Sequence, residues 1–201
     1  MKKTVLIMFV AFLGLAYANA QTYVGGSLGI GSTTNKPKSG EKTTTSSFSF
    51  NPEVGYSLDE KSDIGIELLF GTKKEGKAKT SAYGASPYFR YSIAEFGQFA
   101  ILGKASLYVL GDKSKANSSA DELKSTAFGL GVTPILAYNL SDRIVLLANL
   151  NFLGLNFNQT SRKSGDYDLG TSTNFGLGID TDDIVNIGGN EGITIGFAYK
   201  F

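Results

Sequence analysis

Beyond its first twenty residues the chain alternates apolar and polar positions with a period of two, the spacing of a β-strand rather than a helix. Residues 46–58 show this most plainly. Phe48, Phe50, Pro52, Val54, Tyr56 and Leu58 fall on one face, and Ser47, Ser49, Asn51, Glu53, Gly55 and Ser57 on the other. The same alternation predicts strands over residues 22–31, 63–71, 80–93, 98–110, 125–140, 143–157 and 193–201, which makes eight with 46–58. In the seventh the parity slips after Phe152, which predicts a bulge near Gly154. Residues 171–190 fit less well: Phe175, Leu177 and Ile179 alternate before Asp180-Thr181-Asp182-Asp183 interrupts them. That stretch is expected to pair with an extended seventh strand or to fold into the mouth of a closed sheet, and a count of ten strands stays open.

The links between these strands alternate in length. Residues 59–62, 94–97 and 141–142 are short, whereas 32–45, 72–79, 111–124 and 158–192 are longer and rich in Gly, Ser, Thr and Lys. Short turns at one end and long loops at the other mark a membrane β-barrel. A repeat points the same way. Pro52-Glu53-Val54-Gly55-Tyr56-Ser57-Leu58, Pro87-Tyr88-Phe89-Arg90-Tyr91-Ser92-Ile93 and Pro134-Ile135-Leu136-Ala137-Tyr138-Asn139-Leu140 share a Pro-x-x-x-Tyr-x-Leu/Ile frame before a short turn, and Tyr199-Lys200-Phe201 repeats its end. Tyr56, Tyr91, Tyr138 and Tyr199 would then form an aromatic girdle at one membrane interface. A soluble sandwich also alternates, but it exposes a charge-rich face. Here the second face is dominated by Gly, Ser, Ala and Asn, as in a narrow, filled barrel. The predicted fold is all-β, an eight-stranded antiparallel up-and-down transmembrane β-barrel.

The first twenty residues differ from the rest. Lys2 and Lys3 precede an apolar run over residues 5–15, and Ala18-Asn19-Ala20 is a small-x-small cleavage site. This three-part pattern predicts a secretory signal over residues 1–20 and a mature barrel domain over 21–201. Two of the 19 basic residues leave with the signal, so 17 face 18 acidic residues and the mature chain is near neutral. No nucleic-acid partner is expected from that balance. The chain has no cysteine and no histidine, which removes disulfides, thiolate chemistry, the commonest general base and the commonest transition-metal ligand. No cofactor and no catalytic residue are expected. A Ser-Lys pair stays open, but no motif supports it.

The most informative polar residues are Glu53, Glu67, Arg90 and Lys104. All fall on the inward face of neighbouring strands, about five or six residues from the same end. Unpaired buried charges are costly, so two acids and two bases at one depth are expected to pair. The plain reading is a structural interior network; the sharper one is a gate whose ion pairs switch. Asp180-Thr181-Asp182-Asp183 and Asp166-Tyr167-Asp168 offer oxygen ligands for Ca²⁺ but lack a full ligand loop, so a solvated acidic loop is the plainer reading. Lys73, Lys74, Lys77 and Lys79 make the second long link basic. They could meet lipopolysaccharide phosphates or simply be solvated. The Gly-x-Gly pairs, such as Gly29/Gly31, precede no helix and are read as relief of interior crowding.

On the strength of Thr194-x-Gly196-x-x-Tyr199-x-Phe201 and the Pro-x-x-x-Tyr endings at 52, 87 and 134, the sequence resembles the small porin-like outer-membrane β-barrel domain family common in Bacteroidetes. That family is itself similar to OmpA-type and OmpX-type barrels. The resemblance spans residues 21–201. It implies an eight-stranded barrel in the cell outer membrane, with its N-terminus and short turns in the periplasm. It also implies that Thr194, Gly196, Tyr199 and Phe201 act as the signal read by the barrel-assembly machinery. The partners implied are that machinery, periplasmic chaperones, outer-membrane lipids and lipopolysaccharide, around a monomer. Enzymes built on such small barrels use His, which this chain lacks. The expected role is therefore non-catalytic: envelope structure with at most narrow, porin-like permeation of small solutes. A surface adhesin or ligand-binding barrel acting through its long loops is the alternative.

Overall fold

A computed structural model describes residues 21–36, 42–115, 122–150, 154–165, 167–178 and 193–201, and among these there are strands and no helix. The strands are β1 (Thr22–Asn35), β2 (Thr43–Ser57), β3 (Ser62–Glu75), β4 (Ala78–Phe96), β5 (Phe99–Lys115), β6 (Leu123–Asn139), β7 (Ile144–Leu150), β8 (Gly154–Ser164), β9 (Tyr167–Gly178) and β10 (Ile193–Lys200). β1 to β6 pair with their sequence neighbours, β6 pairs with β7, β7 with β10, and β10 with β1, all antiparallel. Eight strands thus close a barrel, and β8 and β9 are two further strands.

The predicted seventh strand is divided between β7 and β8. Along β6, Ile135 faces Asn149 of β7, while Val132 faces Leu155 of β8. Three residues on β6 are matched by six on the other strand. An odd surplus inverts the facing of every later side chain. Val145 and Leu147 of β7 are buried inside, whereas on β8 it is the even-numbered Asn158 that is buried. This is the parity slip visible in the sequence. The residues 151–153 next to the bulge expected at Gly154 lie outside the described set. β9 pairs with β8 from Tyr167 to Gly178, so part of the stretch that resisted the alternation scheme does join the extended seventh strand.

Strands run farther at the loop end than the sequence suggested. The long link expected over residues 72–79 is a tight turn at Gly76-Lys77, with Gly76 at φ 56. A polar, Thr- and Lys-rich segment reads as a loop because it carries no apolar alternation. In a barrel, strands continue hydrogen bonding after the apolar band ends, and polar residues fill those positions.

The two faces of the wall are inverted relative to a soluble protein. Large apolar side chains point outward and are exposed, among them Ile30, Phe50, Leu68, Leu107, Phe128 and Ile195. Charged Glu53, Glu67, Arg90 and Lys104 point inward and are buried. A continuous exposed apolar belt of this kind is stable only where lipid rather than water covers it.

Candidate functional site

The barrel interior is the site, and three Tyr–Gly pairs shape it. Tyr23 of β1 faces Gly55 of β2, Tyr88 of β4 faces Gly65 of β3, and Tyr108 of β5 faces Gly129 of β6. In each pair the phenol ring lies where a glycine Cβ would project. The missing side chain lets a large ring lie flat against the neighbouring strand inside a lumen only wide enough for side chains to fill. All three tyrosines are buried.

Two of these rings join the predicted charges. Arg90 Nη2 donates to the Tyr23 hydroxyl at 2.7 Å, and the Tyr23 and Tyr88 hydroxyls are 2.9 Å apart. The Arg90 guanidinium also lies over both rings, 5.1 and 5.3 Å from their centroids. It forms ion pairs with Glu53 at 3.5 Å and, through Nε, with Asp63 at 3.3 Å. Lys104 Nζ sits 2.5 Å from Glu67 Oε2 and 4.7 Å above the Tyr88 ring. The four charges singled out in the sequence are thus brought into two pairs that share Tyr88.

Asp63, Tyr23 and Tyr88 belong to this cluster and were not assigned to it from sequence. Parity could have found them. Asp63 shares its face with Gly65 and Glu67, and Tyr88 shares its face with Arg90. What parity cannot give is reach across the lumen, because Glu53 and Arg90 stand on strands that are not neighbours.

The cluster divides the lumen. Below it, toward the short turns, a cavity of about 510 Å³ opens. One wall is charged, with Asp59, Lys61, Asp63 and Glu95; the other is apolar, with Ala100, Leu102, Ala137, Val145 and Leu147. Above the cluster, Leu69, Tyr108 and Leu110 pack together with Ala82 and Ala127 into an apolar layer. Asp112 accepts from Ser125 Oγ at 3.1 Å beyond it.

The four tyrosines expected to form a girdle all lie at the turn end. Tyr56 donates to Gln21 and Tyr138 donates to Gln98 at 2.8 Å, while Arg143 donates to Tyr199 at 3.4 Å. Tyr91 is exposed on the outer face. Of the residues expected to carry an assembly signal, Thr194 accepts from Asn149 at 3.2 Å, Gly196 faces Ser27, and Tyr199 packs edge-on against Phe201 with centroids 5.3 Å apart. The Asp166 and Asp180–Asp183 positions lie outside the described residues. Asp168 accepts from the Gly170 N–H at 2.8 Å. Gly29 and Gly31 lie on β1 opposite Ser49 and Ser47, with no helix after them.

The sequence matches no protein-family model and no curated protein. Among solved structures, Neisserial surface protein A (NspA) is similar in fold, with a TM-score of 0.51 over 91% of this chain and 98% of that one at 14% identity. A major outer membrane protein from Thermus thermophilus aligns over 90% of this chain and 99% of that one, at 13% identity and a TM-score of 0.39. The likeness to NspA is one of fold.

Proposed function

We propose that the protein is a non-catalytic integral barrel of the bacterial outer membrane whose lumen is closed at rest, with residues 1–20 as its export signal. Its role on this reading is envelope structure, with permeation limited to what a switch of the interior ion pairs would admit. The observation that carries it is the cross-lumen cluster. Arg90 and Lys104 tie β4 and β5 to β2 and β3 through Glu53 and Glu67, and Tyr23 and Tyr88, joined through their hydroxyls, lie against the Arg90 guanidinium. Delivery by periplasmic chaperones and the barrel-assembly machinery, with Thr194, Gly196, Tyr199 and Phe201 as the signal, belongs to the same reading, as does a monomeric state.

Planar-bilayer recording tests it. The wild-type protein is expected to give no sustained current steps, and Glu53→Ala/Arg90→Ala is expected to give frequent ones. Large wild-type conductance that the double variant leaves unchanged would make this an ordinary open pore and end the closed-lumen reading.

A second reading, recognition at the cell surface, has its own observation. β9 pairs with β8 alone among the described residues, and Tyr167, Leu169 and Phe175 on it are exposed. A strand with a free edge can take an extended partner segment by hydrogen bonding. Loss of cell or ligand attachment on removing the β8–β9 hairpin, with bilayer behaviour unchanged, would favour this role.

A further inference from the structure

The loop end of the barrel carries an outward-facing lysine collar. Lys74, Lys79, Lys113, Lys115, Lys124 and Lys163 stand on β3, β4, β5, β6 and β8, and all are exposed. On β3, β4, β5 and β6 each shares the parity of the exposed apolar residues of its own strand. The ladder sets them against one another: Lys74 faces Lys79, Lys79 faces Lys115, Lys113 faces Lys124, and Lys124 faces Lys163. Like charges directly opposite in adjacent strands repel. Glu122, 3.8 Å from each of Lys113, Lys115 and Lys124, offsets three of them with a single negative charge, and Asp168 faces Lys163. The repulsion is therefore only partly answered within the chain.

Their height is regular as well. On β3 the last outward apolar residue is Phe70 and the lysine is Lys74; on β4 the pair is Tyr83 and Lys79, on β5 Val109 and Lys113, on β6 Phe128 and Lys124. In all four the lysine comes two outward positions beyond the apolar band. Four residues of strand rise about 13 Å, or roughly 9 Å along the membrane normal at a barrel tilt near 45°. That is the depth of a headgroup layer beside the hydrocarbon core, within reach of a lysine stem lying back along the wall. The turn end carries outward tyrosines instead, each two residues before an apolar residue.

We propose that this collar binds the phosphate groups of a multiply phosphorylated glycolipid in the leaflet at the loop end. The inference rests on the outer-membrane reading above. Lysine engages phosphate as a point charge, and one headgroup with two phosphates brings more negative charge to lysines on adjacent strands than the single Glu122 carboxylate does.

The full-length protein is held in phosphatidylcholine nanodiscs and titrated with fluorescent bisphosphorylated lipid A. Saturable, salt-sensitive binding is expected. Lys74→Gln/Lys79→Gln/Lys124→Gln should weaken it by about tenfold or more, whereas Lys200→Gln at the turn end should leave it unchanged. Lys79→Gln and Lys124→Gln alone should show smaller losses, which keeps the test alive if the triple variant folds poorly. Equal binding of dephosphorylated lipid A, equal binding by the collar variants, or equal competition by phosphatidylglycerol at matched charge each overturns the proposal. Insertion into the nanodisc without lipid A preference overturns the collar alone. Failure of the wild-type protein to insert overturns both the collar and the membrane reading.

Discussion

Glu53 lies directly opposite Glu67 in the ladder between β2 and β3, so two carboxylates enter the lumen side by side. Arg90 and Lys104 stand opposite each other in the same way between β4 and β5. Like charges are neighbours within the wall, and the opposite charges meet across the lumen. Each cation takes the acid two strands away: Arg90 takes Glu53, and Lys104 takes Glu67. The arrangement ties four strands together through side chains, in addition to their backbone ladders.

Removing one partner should therefore cost more than removing both. Arg90→Met leaves Glu53 buried without its cation and is expected to destabilise the barrel by about 3–5 kcal/mol. Glu53→Gln/Arg90→Met should recover much of that loss, because the deeply buried carboxylate is then gone and only the partly exposed Asp63 has lost its cation. Equilibrium urea unfolding in lipid vesicles reads both. A double variant no more stable than Arg90→Met would show that Glu53 is not what Arg90 serves, and would shift attention to Asp63, its second acid at 3.3 Å.

Much of this fold could be read from a period of two. Faces were legible wherever apolar residues alternate, as on β2, because a strand places successive side chains on opposite sides. The inward charges were legible for the same reason. The extent of strands at the loop end was not, since Thr, Ser and Lys on both faces erase the alternation that marks a strand in the apolar band. The split of the seventh strand into β7 and β8 was half legible. The parity slip after Phe152 is in the sequence, but the size of the register step is set by β6, which local reading does not see. The pairing of Arg90 with Glu53 and Tyr23 depends on barrel closure, a property of the whole sheet rather than of any segment.

Asp59 closes the turn between β2 and β3. Its Oδ1 accepts from the Lys61 and Ser62 N–H groups, both at 2.7 Å. The Lys61 N–H bond, followed by the Ser62 contacts, holds the Asp59 carboxyl below the usual carboxylate range. A depressed folded-state value stabilises the fold above the unfolded-state pKa, and that contribution is lost as pH falls through the folded value. The turn should therefore stay closed at neutral pH and loosen only under acid conditions below the ordinary aspartate range. Asp59→Ala should abolish this acid step, whereas Asp59→Asn should keep a closed turn at all pH values. Amide hydrogen exchange at Lys61 and Ser62 across the acid range measures it. An acid step that persists in Asp59→Ala would show that Asp59 is not its source.

The three Tyr–Gly pairs make the sharpest demand on sequence. Gly55, Gly65 and Gly129 each lie beneath the ring of the tyrosine directly across the ladder. A methyl group at any of them would drive a buried ring off its wall. Overpacking of this kind costs about 1–3 kcal/mol. Gly55→Ala should cost more than its volume alone implies, because displacing Tyr23 also breaks its bonds to Arg90 and Tyr88. Gly103 is the internal control: a Cβ there meets only the end of Ile93, an exposed outward side chain that can move, at 3.1 Å. Gly103→Ala should therefore lie within about 0.5 kcal/mol of wild type, as surface changes usually do. Pairing Gly55→Ala with Tyr23→Leu separates the two parts of the cost, since it relieves the clash while giving up the hydroxyl. Partial recovery would assign the remainder to the hydrogen bonds, which are worth about 1.5–3 kcal/mol when one partner is charged. No recovery would mean that glycine is needed at residue 55 for the strand itself rather than for the ring above it.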